Sequence, residues 1–301
     1  MIGDIHGYAD DLTKLLKRLG YRKKDGCYRH PGRKVIFLGD FIDRGPRILE
    51  TLEIARTMVD AGKALAVMGN HEYNAICYHT SDGAGWHLRE HNPKNNHQHA
   101  ATLEAFRGKD DLWLEYLTWF KSLPLFLELP GLRVVHACWD DSQIKVLNGQ
   151  NRLTDELLFK SAMRETKEFH ALDVLLKGKE ILLPQGCFFD DKEGFTRPKI
   201  RVRWWMDGAN RTYRDVVFPD SDTVPRLPIP SEVAVSLKEY SLNAPPVFMG
   251  HYWLPPAPPE LVASNIACLD YSVAKGGFLT AYRWDGERTL NPAQFVTSRT
   301  P

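Results

Sequence analysis

The sequence predicts an α/β fold in which a second sheet packs on the first, a layered sandwich rather than one open sheet. Three observations carry this reading. In the first half, helix-spaced apolar positions alternate with short apolar runs. Near the end, strand-like runs follow one another directly. Glycine-framed polar motifs follow several of these runs, where the strand ends of α/β sheets converge on ligands.

Taken in order, Leu12, Leu15, Leu16 and Leu19 fall at i, i+3, i+4 and i+7, one face of a helix. Lys34-Val35-Ile36-Phe37-Leu38 is a short apolar run, read as a buried strand. Ile48, Leu52, Ala55 and Met58 mark the next helix, and Ala64-Leu65-Ala66-Val67-Met68 the next buried strand. Trp113, Tyr116, Leu117 and Phe120 form another helix face, halted near Pro124. Leu132-Arg133-Val134-Val135-His136 reads as a third strand. From about 140 to 230 the pattern is less regular and more charged, with a turn-like run at Asp190–Gly194 and prolines between Pro219 and Pro230. Strand signals return at Pro246–Met249, Ile266–Leu269 and Phe278–Arg283. No linker divides the chain, so 1–301 is expected to be a single domain with an insertion at about 140–230.

The 301 residues are 43% hydrophobic and 26% charged, an ordinary globular balance. A chain of this length buries about 75% of the surface its unfolded form exposes. Lys plus Arg number 39 and Asp plus Glu 38, a net charge of +1. No global field favours nucleic acid or an anionic membrane. Five scattered cysteines without a CxxC pair indicate neither a disulfide framework nor a thiolate zinc site, and reduced thiols are expected. The longest uncharged stretch, Ser241 to Pro259, is broken by repeated prolines and cannot be a spanning helix. No leader is expected before the first motif at Gly3. A soluble, cytoplasmic protein is expected, with no membrane or nucleic-acid partner.

The chemistry concentrates in Gly3-Asp4-Ile5-His6-Gly7, Gly39-Asp40-Phe41-Ile42-Asp43-Arg44-Gly45, Gly69-Asn70-His71-Glu72, His136 and Gly250-His251. Taken singly, each has a plain reading: a turn, a surface ion pair, a helix cap, a core histidine. Taken together, they share a placement beside glycines and strand ends, and they are metal-ligand types. Carboxylate and imidazole together suit Mn²⁺, Fe or Zn²⁺. One carboxylate can bridge two ions, and two ions ~3.5–4 Å apart can clamp both oxygens of a phosphoryl displacement. Arg44 adds a planar fork of donors for phosphate oxygens.

These motifs resemble the calcineurin-like metallophosphoesterase superfamily. The branch they are most similar to is the phosphoprotein phosphatase type, which includes Ser/Thr protein phosphatases and symmetrical diadenosine tetraphosphatases. The likeness runs from Gly3 to His251, and the ending from Cys268-Leu269-Asp270-Tyr271 through Lys275-Gly276-Gly277 to Tyr282-Arg283 shares it. In that family a strand usually precedes the first motif; here only Met1 and Ile2 stand before Gly3. The resemblance implies a four-layer αββα sandwich with two mixed sheets. It implies two divalent metal ions, Mn²⁺ foremost with Fe or Zn²⁺ as alternatives. Asp4 and His6 would hold the first ion, Asp40 would bridge both, and Asn70, His136 and His251 would complete the second. A water or hydroxide bridging the ions would attack phosphorus directly, without a covalent phosphoenzyme. Arg44 would orient the phosphate. His71 would protonate the leaving oxygen, with Asp43 fixing its tautomer. A second phosphate-binding arginine would lie between the two late histidines. Arg201, Arg203, Arg211 and Arg214 are candidates, with Arg211 or Arg214 preferred.

The function expected is a dinuclear-metal phosphoesterase acting on phosphomonoesters, as phosphoprotein or small molecule. A symmetrical dinucleoside polyphosphate hydrolase is the alternative. An inert metal-binding interaction module comes third, disfavoured because Asp43, Arg44 and His71 are all present. His79, His87, His91, His97 and His99 read as a polar lid or helix beside the site rather than a third metal site. Trp204-Trp205 reads as buried packing, and Lys275 with its two glycines as a tight turn.

Overall fold

The computed structural model describes residues 1–190 and 196–299; the turn expected at Asp190–Gly194 lies outside the described residues beyond Asp190. The architecture is mixed α/β. One sheet has the strand order Ile266–Cys268, Val247–Met249, Leu132–Val135, Phe126–Leu129. Its first three strands run parallel and the last closes an antiparallel hairpin. A second group pairs Val35–Phe37 with Ala64–Ala66 in parallel, and Phe278–Tyr282 with Phe295–Thr297 antiparallel. Ile2 joins these pairs, bridging Phe37 on one side and Ala281 on the other. Its amide donates to the Ile36 carbonyl at 2.9 Å and its carbonyl accepts from Leu38 at 3.0 Å. Met1 and Ile2 thus provide the strand pairing that positions the first motif.

Alternation along the strands sorts side chains into two cores, as a period of two requires. Ile36, Leu132, Val134, Phe248, Ala267 and Tyr282 meet in one apolar cluster drawn from both sheets. Their neighbours Val35, Phe37, Val135, Val247, Met249, Ile266, Cys268 and Ala281 join the larger cluster with the helices. Strands buried on both faces read as unbroken apolar runs, which is why the sequence shows them so clearly.

The helices are α1 (Ala9–Arg18), α2 (Ile48–Asp60), α3 (Asn70–His79), α4 (Pro93–Ala105) and α5 (Asp110–Ser122). α1 buries Leu12, Leu15 and Leu16, and packs on Phe278–Tyr282. α5 buries Trp113, Tyr116, Leu117 and Phe120 and stops at Leu123, whose extended backbone suits the residue before Pro124. The region at about 140–230 opens with three regular helices, α6 (Asp141–Val146), α7 (Asp155–Ala162) and α8 (Lys167–Lys177). Asp140, Thr154 and Thr166 cap them, each side chain accepting from first-turn amides. Beyond Lys177 come short strands around a small separate core of Ile181, Ile200, Val202, Val216 and Leu237. Trp204 and Trp205 are buried, as expected. Among the described residues no helix is long and apolar enough to cross a membrane.

Candidate metal centre

The polar motifs converge where the strands end. Asp40 follows Val35–Phe37, Asn70 follows Ala64–Ala66, His136 follows Leu132–Val135, and His251 follows Val247–Met249. Asp4, His6, Asp40, Asp43, Asn70, His71, His136 and His251 are all buried. The backbone turns sharply to present them. His6, Asp40, Asp43, Arg44 and His251 have φ of 49°, 53°, 66°, 67° and 73°. The left-handed region costs a non-glycine residue about 1–3 kcal/mol, so the surroundings must hold these turns in place. Two glycines let neighbours come close: a Cβ on Gly69 would meet Asp40 Oδ1 at 2.2 Å, and one on Gly250 would meet Asp4 Oδ1 at 1.9 Å.

Glu72 supplies part of that restraint. Its Oε2 accepts from the amides of Asp40 (2.8 Å) and Gly69 (3.0 Å), and its Oε1 from Phe41 (2.8 Å). Burial first, then the Asp40 charge, push its carboxyl up to about 7.

Two buried donor groups form, and Asp40 belongs to both: His6, Asp40 and His71, and Asp40, His136 and His251. His6 donates from Nδ1 to the Ile42 carbonyl at 2.9 Å, and His136 from Nδ1 to Leu38 at 2.7 Å. Each ring therefore turns Nε2 inward, the orientation that a backbone carbonyl gives a metal-ligating histidine. Asn70 Oδ1 lies 3.0 Å from His136 Nε2 and 2.7 Å from His251 Nδ1. Asp40 Oδ2 lies 3.4 Å from the same His136 nitrogen. Asp4 accepts from the His251 amide on Oδ2 at 2.9 Å, while its Oδ1 and His6 Nε2 are buried without a hydrogen-bond partner.

This crowding of acceptors calls for positive charge. Burial and then Asp270 raise the Asp4 carboxyl well above its ordinary range. Burial would raise Asp40 too, but the imidazoles of His136, His71 and His6 hold it well below. Burial would lower His136, yet the Asp40 charge lifts it to about 10. Burial and then His71 depress His6 to about 4. Oxygen and nitrogen donors in this arrangement fit divalent cations. Asp4, His6 and Asp40 could hold one, and Asp40, Asn70, His136 and His251 another.

Beside these groups His71 Nδ1 lies 2.5 Å from Asp43 Oδ2, and His71 Nε2 lies 3.9 Å from Asp40 Oδ2. Asp43 Oδ1 accepts from His99 Nδ1 at 2.9 Å and from Thr102 Oγ1 at 2.5 Å. Burial alone would raise Asp43; the hydrogen bonds from His71 and His99 instead hold it far below the usual carboxylate range.

The half-buried Arg44 guanidinium lies 5.3 Å from the Trp253 ring centroid, and Lys275 Nζ lies 4.4 Å from it. That ring is 6.0 Å from His6, and the Trp253 amide donates to Asp270 at 2.6 Å. The geometry does not carry the preference for Arg211 or Arg214. Arg211 is exposed, and Arg214 donates to the carbonyls of Val224 and Asp222 within the 140–230 region. Arg203 is tied to Asp220 and to the Val217 carbonyl. Arg201 has its Nε 3.9 Å from Glu180 Oε1, and its charge also acts on His251, helping burial push that imidazole down.

Sequence reasoning assigned no role to Glu72, Thr102, Trp253 or Asp270, and gave His99 only a place in a polar cluster. The i, i+3 spacing of His99 and Thr102 on one helix face was the available signal. Of the other histidines, His91 stacks on Tyr78 and on His87. The donor groups among the described residues do not include them.

A family model described as calcineurin-like phosphoesterase matches residues 1–251. A stretch of 72 residues is 47% identical to an asymmetrical bis(5'-nucleosyl)-tetraphosphatase from Halalkalibacterium halodurans, covering 24% of this chain and 29% of that protein. A stretch of 127 residues is 34% identical to a symmetrical bis(5'-nucleosyl)-tetraphosphatase from Hamiltonella defensa, covering 42% of this chain and 38% of that one. Both alignments span less than half of the relative's length. Among solved structures, a protein serine/threonine phosphatase from Saccharomyces cerevisiae aligns with TM-score 0.48 at 13% identity, covering 98% of this chain and 77% of that one.

Proposed function

The chain belongs to the calcineurin-like phosphoesterase family, and from that premise we propose that it is a dinuclear-metal hydrolase of phosphate esters, with phosphomonoesters as its lead substrate class. The observation that carries this reading is the position of Asp40 Oδ2, 3.7 Å from His6 Nε2 and 3.4 Å from His136 Nε2, between donors suited to two ions. A carboxylate shared in this way offsets the repulsion between two cations.

Two divalent ions held there would acidify water and neutralise charge on the phosphoryl group. Manganese is the ion we infer first, because carboxylate, amide oxygen and imidazole together suit it. The protein's own groups do the rest. Arg44 grips non-bridging phosphate oxygens with its planar fork. Arg201 is the candidate for a second grip, since its charge is felt at His251. As water adds to phosphorus and the bond to the leaving oxygen breaks, His71 gives that oxygen a proton from Nε2. Asp43 holds His71 Nδ1 and so fixes which nitrogen acts. A cytoplasmic setting accords with five unpaired cysteines.

A second reading, dinucleoside tetraphosphates, is favoured by the names of the two relatives and by the Trp253 ring. Arg44 and Lys275, both over that indole, would offer further phosphates two cations. The test is a substrate panel on metal-reconstituted protein: p-nitrophenyl phosphate, a phosphopeptide, AMP and diadenosine tetraphosphate. Fastest turnover of a monoester supports the lead. Preference for the tetraphosphate replaces it, with two ADP marking symmetrical cleavage and ATP plus AMP asymmetrical cleavage. No hydrolysis of any member would leave a metal-binding interaction module.

A further inference from the structure

We propose that His99 and Thr102, both on α4, are positioning residues that lock the Asp43 carboxylate and thereby aim His71 as the proton donor. The proposal rests on the phosphoester-hydrolase reading above.

Four observations support it. First, the residues that α4 buries are these two polar ones, His99 and Thr102. A helix needed only for packing would bury an apolar stripe instead. Second, Thr102 holds Asp43 at two points. Its Oγ1 donates to Asp43 Oδ1 at 2.5 Å and accepts from the Asp43 amide at 3.0 Å. It thus restrains both the side chain and a backbone turned to φ 66°. Third, His99 Nδ1 donates to the same Oδ1 at 2.9 Å, which leaves Oδ2 to His71 at 2.5 Å. With donors on both oxygens, the carboxylate cannot rotate without losing a hydrogen bond. Fourth, the helix is braced from another side. Arg89 donates to Asn74 on α3 at 2.8 Å and to Gln98 on α4 at 3.0 Å. Asp43, His71, Asn74, Arg89, Gln98 and His99 line one cavity.

The consequence is directional. An Asp43 carboxylate freed on one oxygen could swing, and the His71 ring would swing with it. The protein would keep its metals and its fold, but Nε2 would no longer point at the leaving oxygen. Esters whose leaving group needs a proton would suffer, and activated esters would not.

The experiment compares wild type with His99→Ala, His99→Asn and Thr102→Val, all metal-reconstituted. The readouts are kcat and KM on p-nitrophenyl phosphate and glycerol phosphate, metal content and thermal melting. His99→Ala and Thr102→Val are expected to lose on the order of tenfold or more in kcat on the alkyl ester, a share of the 10²–10⁴ a general acid supplies. The aryl ester, KM and metal content should hardly change. His99→Asn, whose amide N–H can reach Asp43, should recover most of the loss. If His99→Ala does not fold, Thr102→Val, which keeps the side chain's shape, carries the same comparison. An inactive wild type would sink the hydrolase reading and this proposal with it. An active wild type whose variants lose both esters equally, or lose neither, would overturn this proposal alone.

Discussion

Asp40 Oδ2 faces His136 Nε2 at 3.4 Å across the join between the two sheets. Asp40 follows a strand of one sheet and His136 ends a strand of the other. The same oxygen lies 3.7 Å from His6 Nε2. One carboxylate therefore ties together donors from separate parts of the fold.

Asp40→Asn keeps the shape and removes the charge. It is expected to abolish hydrolysis and to lower bound metal below that of wild type. A second readout is thermal melting. A ligand at about 100 times its Kd stabilises by ~2.7 kcal/mol, so Mn²⁺ should raise the melting temperature of wild type and raise that of Asp40→Asn much less. An undiminished metal-dependent shift in the variant would remove Asp40 from the shared role.

Glu72→Ala should unsettle the turn that carries Asp40. Three buried amides, of Asp40, Phe41 and Gly69, would lose their acceptor. An unsatisfied buried donor costs about 1–3 kcal/mol, so a loss of about 3 kcal/mol or more is expected. Denaturant unfolding of the metal-free protein measures it directly. A midpoint within error of wild type would mean that Glu72 does not hold the loop.

His71→Asn should retain both metals and slow alkyl esters far more than aryl ones. General acid catalysis is worth roughly 10²–10⁴-fold where the leaving oxygen needs a proton. Rates across a series of leaving groups give the slope. A slope unchanged from wild type would assign the proton to another donor.

Arg44→Ala should leave metal content intact while harming both KM and kcat on phosphate esters. Arg44→Lys should recover part, since an ammonium keeps charge but not the bidentate fork. Arg201→Ala should act in the same sense, whereas Arg211→Ala and Arg214→Ala should leave kcat/KM near wild type. Steady-state kinetics on p-nitrophenyl phosphate separates these cases, and a large effect confined to Arg211 or Arg214 would restore the preference drawn from sequence.

What the sequence displayed depended on how local the cause was. Val35–Phe37 and Val247–Met249 are buried on both faces, so their apolar runs stand out. α1 and α5 pack one face and leave the leucine and aromatic spacing visible. Asp40 and His251 sit in turns beside glycines and Asn70 opens α3 after Gly69, so their chemistry is written within a few residues. His99 and Thr102 were hidden because their partner Asp43 lies 56 and 59 residues away, and the helix that brings them has no apolar stripe. Arg201, Arg211 and Arg214 could not be told apart, because their settings depend on the small core that brings Ile200, Val216 and Leu237 together from distant parts of the sequence. α6 and α7 span only 6 and 8 residues, too short for a clear period, whereas α8 does carry an apolar stripe at Ala171, Leu172, Leu175 and Leu176.

Two cations on a shared Asp40 should be needed for phosphoester hydrolysis. The most direct measurement titrates metal-free protein with Mn²⁺ while following p-nitrophenyl phosphate hydrolysis. Little rate is expected after the first equivalent and full rate once the second is bound. Full rate at one equivalent, or hydrolysis indifferent to Mn²⁺ and to chelator, would contradict it.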